Sequence, residues 1–203
     1  MGTFLSPTPP AKWKFGCRTA APPDTVRHVS DPSEMRTRRL LLRRPLPADT
    51  EKFVEVHTSE QTHAFSGFGR RDRAESLRLL EQFQLDWDTH GVGYWTVQAA
   101  STGEVLGFGG IRNALDEGQK VLNLYFRFLP IAWGHGYAPE MGHAAVRWAH
   151  RNRPDLPVVI ATAARNAPAI RVAEKLGFER ALERTHDGVP EVLFRSSAPG
   201  PLT

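Results

Sequence analysis

The segment of this 203-residue chain best suited to chemistry is a glycine-rich turn, Trp133-Gly134-His135-Gly136-Tyr137-Ala138. Glycines let backbone N–H groups approach an anion closely, and the N-terminus of a helix carries about half a positive charge. Because a helix is expected directly after the turn, a phosphate or pyrophosphate fits there. The same residues also suit a tight strand-to-helix connection without a ligand, so the turn alone leaves both interpretations open.

Two common nucleotide-binding patterns are absent from this segment. The turn is not followed by the Gly-Lys-Ser/Thr of the Walker pattern. It also lacks the third spaced glycine of the dinucleotide fingerprint, and no ribose-binding acid follows the next strand. The expected anion site therefore belongs to neither class.

Two predicted strands must position this turn. Residues 121–128 alternate, with Leu122, Leu124, Phe126 and Phe128 on one face and Asn123, Tyr125 and Arg127 on the other. Residues 158–163 are continuously apolar, which is typical of a strand buried on both faces of a sheet. A helix over 139–150 joins them, so we expect a parallel, right-handed strand-helix-strand unit.

The remaining pattern predicts a mixed α/β domain without internal repeats. Further strands are predicted at residues 39–43, 94–99 and 105–111, with helices at 47–57, 72–90 and 168–176. Asp187-Gly188 predicts a hairpin between strands at 179–185 and 189–195.

Composition limits the classes of partner. The chain has 26 basic and 22 acidic residues, a net charge of +4, which is too small an excess to favour nucleic-acid binding. No stretch approaches 18 apolar residues, so no membrane span is expected. The single cysteine, Cys17, excludes an intrachain disulfide and a cysteine-cluster metal site. We expect a cytoplasmic protein.

The first 35 residues differ in composition from the rest. They hold 6 of the 16 prolines and only three Leu, Ile or Val residues, which predicts a disordered tail. The expected domain spans 36–197, and 198–203 form a short C-terminal tail. One hypothesis makes Met35 the biological start; its rival is a weakly basic tail that docks on a partner.

Three blocks of sequence resemble the GNAT N-acetyltransferase superfamily, in its RimJ/RimL-like branch, whose best-known members acetylate ribosomal-protein N-termini. The first is the turn extended to Pro139 and Glu140. The second begins at Arg165-Asn166 and ends in Lys175-Leu176-Gly177-Phe178, and the third is Thr37-Arg38-Arg39-Leu40-Leu41-Leu42-Arg43. The blocks occur in the family's order and span about residues 37–194.

The resemblance implies a GNAT fold, a mixed and mostly antiparallel sheet flanked by helices, in which two central parallel strands splay apart. Acetyl-CoA is the implied co-substrate. Its pantetheine arm would enter between the two strands, and its pyrophosphate would lie on the turn. The implied CoA-binding residues are Phe126, Arg127, Phe128, Trp133, Gly134, His135, Gly136, Tyr137, Ala138 and Asn166.

The implied reaction is direct transfer of acetyl to a primary amine in a ternary complex. The amine must lose a proton before attack, and a backbone N–H near Phe128 is the implied oxyanion donor. Cys17 lies in the tail, which argues against a covalent acyl-enzyme. The acceptor is left open among a protein N-terminus, a small amine and an amine-bearing antibiotic, and the chain is expected to be a monomer or homodimer.

The sequence departs from the family at three catalytic positions. Asn123 stands where many relatives carry a glutamate, Ala173 where a tyrosine often lies, and Ala169 where this branch uses a serine. The candidate catalytic residues that remain are Tyr125, Asn123, His63 and Glu60. Of these, His63 titrates near neutrality and is a candidate base in a surface loop.

These departures keep two other functions open. The first is a non-catalytic acyl-CoA-binding or regulatory module, and the second is a binding protein for another phosphorylated ligand. No metal is expected, because His143 and His150 are seven residues apart and no further ligand completes a site.

Overall fold

The computed structural model describes residues 31–67 and 69–196. An eight-stranded sheet forms its centre, with strand order β1-β2-β3-β4-β5-β6-β8-β7. The strands are β1 (Glu34–Arg36), β2 (Leu40–Arg43), β3 (Tyr94–Ala99), β4 (Val105–Asp116), β5 (Gln119–Phe128), β6 (Val158–Ala163), β7 (Phe178–His186) and β8 (Val189–Ser196). The helices are α1 (Thr50–Thr58), α2 (Glu60–His63), α3 (Arg73–His90), α4 (Tyr137–Asn152) and α5 (Ala167–Lys175).

All neighbouring strands are antiparallel except β5 and β6, which are parallel. The expected mixed, mostly antiparallel sheet with one central parallel pair is therefore confirmed. The parallel pairing is short, since only Leu122 with Val158 and Asn123 with Val159 are in register. Beyond Asn123 the two strands separate, and this separation is the predicted splay.

Helices cover both faces of the sheet. On one face, Met141, Ala145 and Trp148 of α4 are buried in the main core with Leu122, Leu124 and other strand residues. On the other face, Phe53 of α1 and Phe83 of α3 pack against Phe108 of β4 in a second cluster. The alternating side chains of β5 thus separate an apolar face under α4 from a polar face under α1.

The predicted elements agree with the observed ones, with small shifts at their ends. Asp72 caps α3, because its side chain accepts a hydrogen bond from the Glu75 backbone N–H. The Glu75 side chain in turn accepts one from the Asp72 backbone N–H. Strand β4 runs five residues past its predicted end at Ile111, because its hairpin with β5 stays paired up to Asp116 and Gln119. None of the described helices is long and apolar enough to cross a membrane.

The sheet begins before the expected domain boundary at residue 36. Strand β1 starts at Glu34 and pairs with β2, and Met35 packs against the main core. The indole N–H of buried Trp95 donates to the Pro32 carbonyl at 2.8 Å. A three-residue strand carries too little pattern to be recognised beside a proline-rich segment. Residues 1–30 of the predicted N-terminal tail and the whole predicted C-terminal tail, 198–203, lie outside the described residues.

Candidate functional site

The glycine-rich turn has the backbone conformation that the sequence predicts for an anion site. Gly134 and Gly136 have φ angles of +78° and +75°, in the left-handed region where a side chain is strained. Gly136 is the N-cap of α4 and provides no side-chain cap. The first backbone N–H groups of this 16-residue helix therefore donate to no N-cap side chain, and they suit a pyrophosphate.

A half-buried ion pair ties this turn to the N-terminal strands. Glu140, in the first turn of α4, accepts the Arg39 Nε–H at 2.7 Å, the Arg39 backbone N–H at 2.8 Å and the Thr37 hydroxyl at 2.6 Å. Arg39 also donates from Nη1 to the carbonyl of His135 at 2.9 Å. Burial raises the pKa of Glu140, but these hydrogen bonds outweigh it and the net pKa lies below its usual value.

The aromatic residues of the turn have identifiable contacts. The Trp133 indole N–H donates to the Phe128 carbonyl at 2.9 Å and joins the turn to the end of β5. His135 stacks on Tyr137, with ring centroids 5.6 Å apart, and the Arg39 guanidinium lies 4.8 Å from the Tyr137 ring centroid. Side-chain contacts with the end of β5 and with Arg39 thus fix the position of the turn.

The separated edge of β5 lies directly before this turn. No register pairs link β6 to Phe126, Arg127 or Phe128, although the same residues pair with β4 on the other side. Backbone groups along this edge suit an extended ligand that pairs as an added strand, as a pantetheine arm can. The edge and the turn are continuous, so the structure fits the shape of CoA. The individual CoA-binding assignments remain predictions.

Asn166 has a local structural role. It is the N-cap of α5, where its side-chain oxygen accepts the Ala169 backbone N–H at 3.2 Å, and its amide nitrogen donates to Thr162 Oγ1 at 3.0 Å. One amide hydrogen remains for a ligand. The Asn166 side chain would therefore have to bind pantetheine, as predicted, while it also caps α5.

Tyr125 stands at the centre of a hydrogen-bonded network on the polar face of β5. Its hydroxyl lies 3.1 Å from Nε2 of His57 and 3.1 Å from Nε of Arg127. Nδ1 of His57 lies 2.8 Å from the carbonyl of Phe53, which can only accept, so the proton of the neutral ring is on Nδ1. Nε2 is then an acceptor, and the Tyr125 hydroxyl donates to His57 while it accepts from Arg127.

His57 is fully buried in α1 and stacks on Phe53 at 4.1 Å. Burial lowers its pKa to about 3, and the positive charges of Arg127 and Arg71 act in the same direction. The ring is therefore neutral at pH 7 and holds the Tyr125 hydroxyl in one orientation. Nothing in the local sequence marks His57, because the pattern of α1 is carried by its apolar residues. Only the fold brings this ring to β5.

His63 differs from the expected solvated loop histidine. It lies at the end of the short helix α2 and is buried, and its Nδ1 is 3.0 Å from the Ser59 carbonyl. Nε2 faces the Nη1 donor of Arg127. Burial and then the charge of Arg127 lower the pKa of His63 to about 4. Its lone pair is already occupied by a guanidinium, so this geometry does not support His63 as the base.

Asn123 forms part of a second, structural network. Its amide donates to the Tyr94 hydroxyl, which also accepts from Arg112 at 3.2 Å. Arg112 in turn bonds Asp86 of α3, with both side chains largely buried. Asn123 therefore links β5 to the packing of α3 on the sheet.

A cavity of ≈ 350 Å³ opens beside this polar face. Its described walls come from α2, the segment after it and the start of α5's N-terminal loop: Glu60, His63, Ala64, Ser66, Gly67, Gly69, Arg70 and Arg165. A β-carbon at Gly67 would lie 2.1 Å from a Val189 methyl carbon, so the segment lies tightly on β8. Arg165 fastens it by donating to the Ser66 carbonyl at 2.6 Å.

The structure thus brings the predicted site residues into two groups. The first group is the glycine-rich turn together with the β5 edge that leads into it. The second is Glu60 and His63, which line the cavity. The contact between His63 and Arg127 places this cavity next to Tyr125. Among residues 31–67 and 69–196, no group of three or more His, Cys, Asp or Glu side chains could hold a metal ion.

Comparisons with known proteins give the class. Residues 39–179 match the acetyltransferase (GNAT) domain family. The uncharacterized protein YkkB of Bacillus subtilis is 30% identical over 109 residues, which cover 54% of this chain and 63% of that protein. The chain thus spans under two thirds of this curated relative.

Solved structures share the fold. An acetyltransferase from Agrobacterium tumefaciens superposes with a TM-score of 0.67 at 22% identity, covering 87% of this chain and 99% of that one. A GNAT-family acetyltransferase from Bacillus anthracis gives 0.65 at 18% identity, covering 80% and 96%. Similar folds also occur in a ribosomal-protein-alanine, a spermidine and an aminoglycoside acetyltransferase, the last two solved with CoA.

The splayed sheet and the turn of backbone amides define the class as that of the acetyl-CoA-dependent acetyltransferases. The chain belongs to the GNAT acetyltransferase family, whose domain covers residues 39–179.

Proposed function

We propose that this protein transfers an acetyl group from acetyl-CoA directly to a primary amine. The observation that carries the proposal is the continuous path from the separated edge of β5 to the N-terminus of α4. An extended pantetheine arm and a pyrophosphate need these two features in this order. The polar network of Tyr125 and the cavity beside Glu60 lie next to that path.

The chain's own residues divide the binding work. The turn at Gly134 and Gly136 binds the pyrophosphate through backbone N–H groups, and Arg39 with Glu140 keeps the turn in shape. The edge of β5 at Phe126 and Arg127 pairs with the pantetheine arm. Acetyl-CoA supplies the acetyl thioester, and the backbone N–H near Phe128 donates to its carbonyl oxygen.

Two side chains handle protons in this proposal. Glu60 is the only carboxylate among the described residues that line the cavity, and it accepts a proton from the amine through water. The amine nitrogen then bonds to the acetyl carbon and the carbon–sulfur bond breaks. In this step the Tyr125 hydroxyl gives up its hydrogen bond to Nε2 of His57 and donates its proton to the departing thiolate. The Arg127 guanidinium, which donates to the same hydroxyl oxygen, stabilises the phenolate until water returns a proton to it.

We place the protein in the RimJ/RimL-like branch, in the cytoplasm, as a monomer or homodimer without nucleic-acid or membrane partners. Support for the branch comes from its opening motif and its glycine-rich motif, because Thr37 and Arg39 of the first bind Glu140 of the second. The acceptor within this proposal is a protein N-terminus or a small amine.

The second candidate is a non-catalytic acyl-CoA-binding module. It is favoured by Asn123, whose amide is committed to Tyr94, and by buried alanines at positions 169 and 173. Both candidates predict CoA binding, but only the first predicts turnover.

One experiment separates them. CoA binding is measured by calorimetry, and release of free CoA thiol is measured with a panel of amine acceptors. Binding together with thiol release that depends on the acceptor supports the enzyme. Binding without release from any acceptor supports the module, and no CoA binding contradicts both.

A further inference from the structure

The wall of the cavity beside α2 carries an unbalanced positive charge. Arg70 and Arg165 line the cavity directly, and Arg127 contacts His63, which also lines it. The charges of Arg127, Arg71 and Arg70 all act on His63 and contribute to its lowered pKa, although burial contributes most. Among the described residues, the wall itself holds two guanidiniums, Arg70 and Arg165, against one carboxylate, that of Glu60. Arg127 and Arg71 add positive charge next to it through their effect on His63.

These four arginines differ from most of the arginines of the sheet and helices. Arg39, Arg43, Arg112 and Arg184 each bond a carboxylate within the described chain. None of the cavity arginines forms an ion pair with a described carboxylate. Arg127 donates to Tyr125 and His63, and Arg165 to a backbone carbonyl, so their charge is not neutralised by these partners.

The positions of the arginines are also fixed to different degrees. The Arg127 side chain is held by its contacts with Tyr125 and His63. The Arg165 side chain is held by the Ser66 carbonyl in the segment after α2. Arg70 is exposed and free to turn toward a ligand. A guanidinium offers paired N–H donors that match the two oxygens of a carboxylate or phosphate.

We infer that the acceptor is an amine that also carries an anionic group, a carboxylate or a phosphate, which binds at Arg70 and Arg165 while its amine lies near Glu60. A polycationic amine would meet like charges at the wall, and such an arrangement lowers affinity. The inference rests on the proposed acetyl transfer and narrows its acceptor class.

The test compares matched acceptors that differ in charge but share the amine. Glycine is compared with glycinamide, and O-phosphoethanolamine is compared with ethanolamine. Both acids are also compared with the diamine putrescine. The measurement is the release of CoA thiol. We expect kcat/KM to be at least about tenfold higher for an acid than for its neutral partner, since an ion pair with a cavity arginine contributes about 1.4 kcal/mol or more. The two acids distinguish a carboxylate from a phosphate site.

Charge reversal shows whether the cavity arginines cause the preference. In Arg70→Glu the acceptor KM of the favoured acid should rise at least about tenfold while the KM for acetyl-CoA stays unchanged. Arg78→Glu makes the same charge reversal on the exposed face of α3, outside the cavity. It should leave the KM for the acid and the KM for acetyl-CoA unchanged.

The outcomes separate the two claims. Equal or better turnover of the neutral amines or of putrescine overturns the anionic acceptor and leaves acetyl transfer standing. A change in the KM for acetyl-CoA in Arg70→Glu also overturns it, because the arginine would then serve CoA. If no acceptor releases CoA thiol, acetyl transfer fails. In that case calorimetry measures whether the CoA complex binds the acids more tightly than the neutral amines. Equal affinity overturns the proposed anion site in the cavity.

Discussion

Arg39 and Glu140, 101 residues apart in the chain, form an ion pair at 2.7 Å that joins the start of β2 to the first turn of α4. The same arginine donates to the carbonyl of His135, so it fixes the glycine-rich turn as well as the helix. Two sequence blocks that look independent in the chain are therefore parts of one structure. This structure shapes the proposed pyrophosphate site.

Glu140→Gln should weaken CoA binding. The glutamine keeps the size of the side chain but loses the negative charge and one of the two acceptor oxygens, so its contact with Arg39 weakens and the turn is held less firmly. We expect Kd for CoA, measured by calorimetry, to rise about tenfold, or about 1.4 kcal/mol. Glu34→Gln removes a carboxylate from an exposed pair with Arg36 and should leave Kd unchanged. Unchanged Kd in Glu140→Gln would contradict a role for the pair in CoA binding.

Gly136→Val should abolish CoA binding more completely. A β-branched residue at φ +75° is strained, and relief of that strain moves the backbone N–H groups of the turn. Gly103 has the same φ of +75° in the turn between β3 and β4, with open space around it. Gly103→Val is therefore a matched control: both variants lose about 1–2 kcal/mol of stability, but only Gly136→Val loses CoA affinity. Equal CoA affinity in both would exclude the turn as the pyrophosphate site.

Tyr125→Phe should lower kcat by about 100-fold if its hydroxyl donates the proton to the thiolate. The KM for acetyl-CoA should change little, because the ring remains in place. Steady-state measurement of thiol release with the best acceptor gives both values. A drop confined to KM, with kcat intact, would show that Tyr125 only positions a ligand.

His57 makes stability depend on pH. Its folded-state pKa of about 3 lies below the ordinary value of 6.5, so between these values the unfolded chain binds the extra proton. Its contribution is fully present above pH 6.5 and is lost as the pH falls toward 3. The free energy of unfolding should therefore fall by about 1 kcal/mol per pH unit below pH 6 on account of this residue.

Urea unfolding at a series of pH values between 5 and 7 measures this slope. His57→Gln should flatten it, whereas His90→Gln, at the exposed end of α3, should leave it unchanged. An unchanged slope in His57→Gln would mean that the ring is not held neutral by burial.

Asp49→Asn should destabilise the fold. The Asp49 carboxylate is buried, accepts both Nη groups of Arg43 at 2.7 Å and accepts the Thr96 hydroxyl at 2.8 Å. Burial raises its pKa, but these bonds outweigh burial and the net pKa lies below the usual value. The substitution leaves Arg43 unpaired, so we expect a loss of about 3 kcal/mol in the free energy of unfolding by urea. Asp88→Asn, in the exposed pair with Arg44, should change the free energy of unfolding by less than about 1 kcal/mol. Similar losses in both variants would contradict a larger contribution of the buried pair to stability.

The sequence determined most of the elements, because their patterns are local. The alternation in residues 121–128 identified β5 and its polar face, and two glycines with a helix behind them identified the turn. The parallel neighbour was predicted from an apolar run and a connecting helix. Short elements were not predicted, because three residues in β1 and four in α2 hold little more than one period of a strand or helix pattern.

Only the tertiary structure decided what surrounds these elements. The sequence could not place His57 of α1 under Tyr125 or pair Arg39 with Glu140. It also could not bring Arg70 and Arg165 to one cavity. It also could not show that His63 is buried against a guanidinium instead of titrating near neutrality. Hydrogen bonding, burial and charge depend on atoms brought together from distant parts of the chain, and these contacts set the chemistry of each side chain.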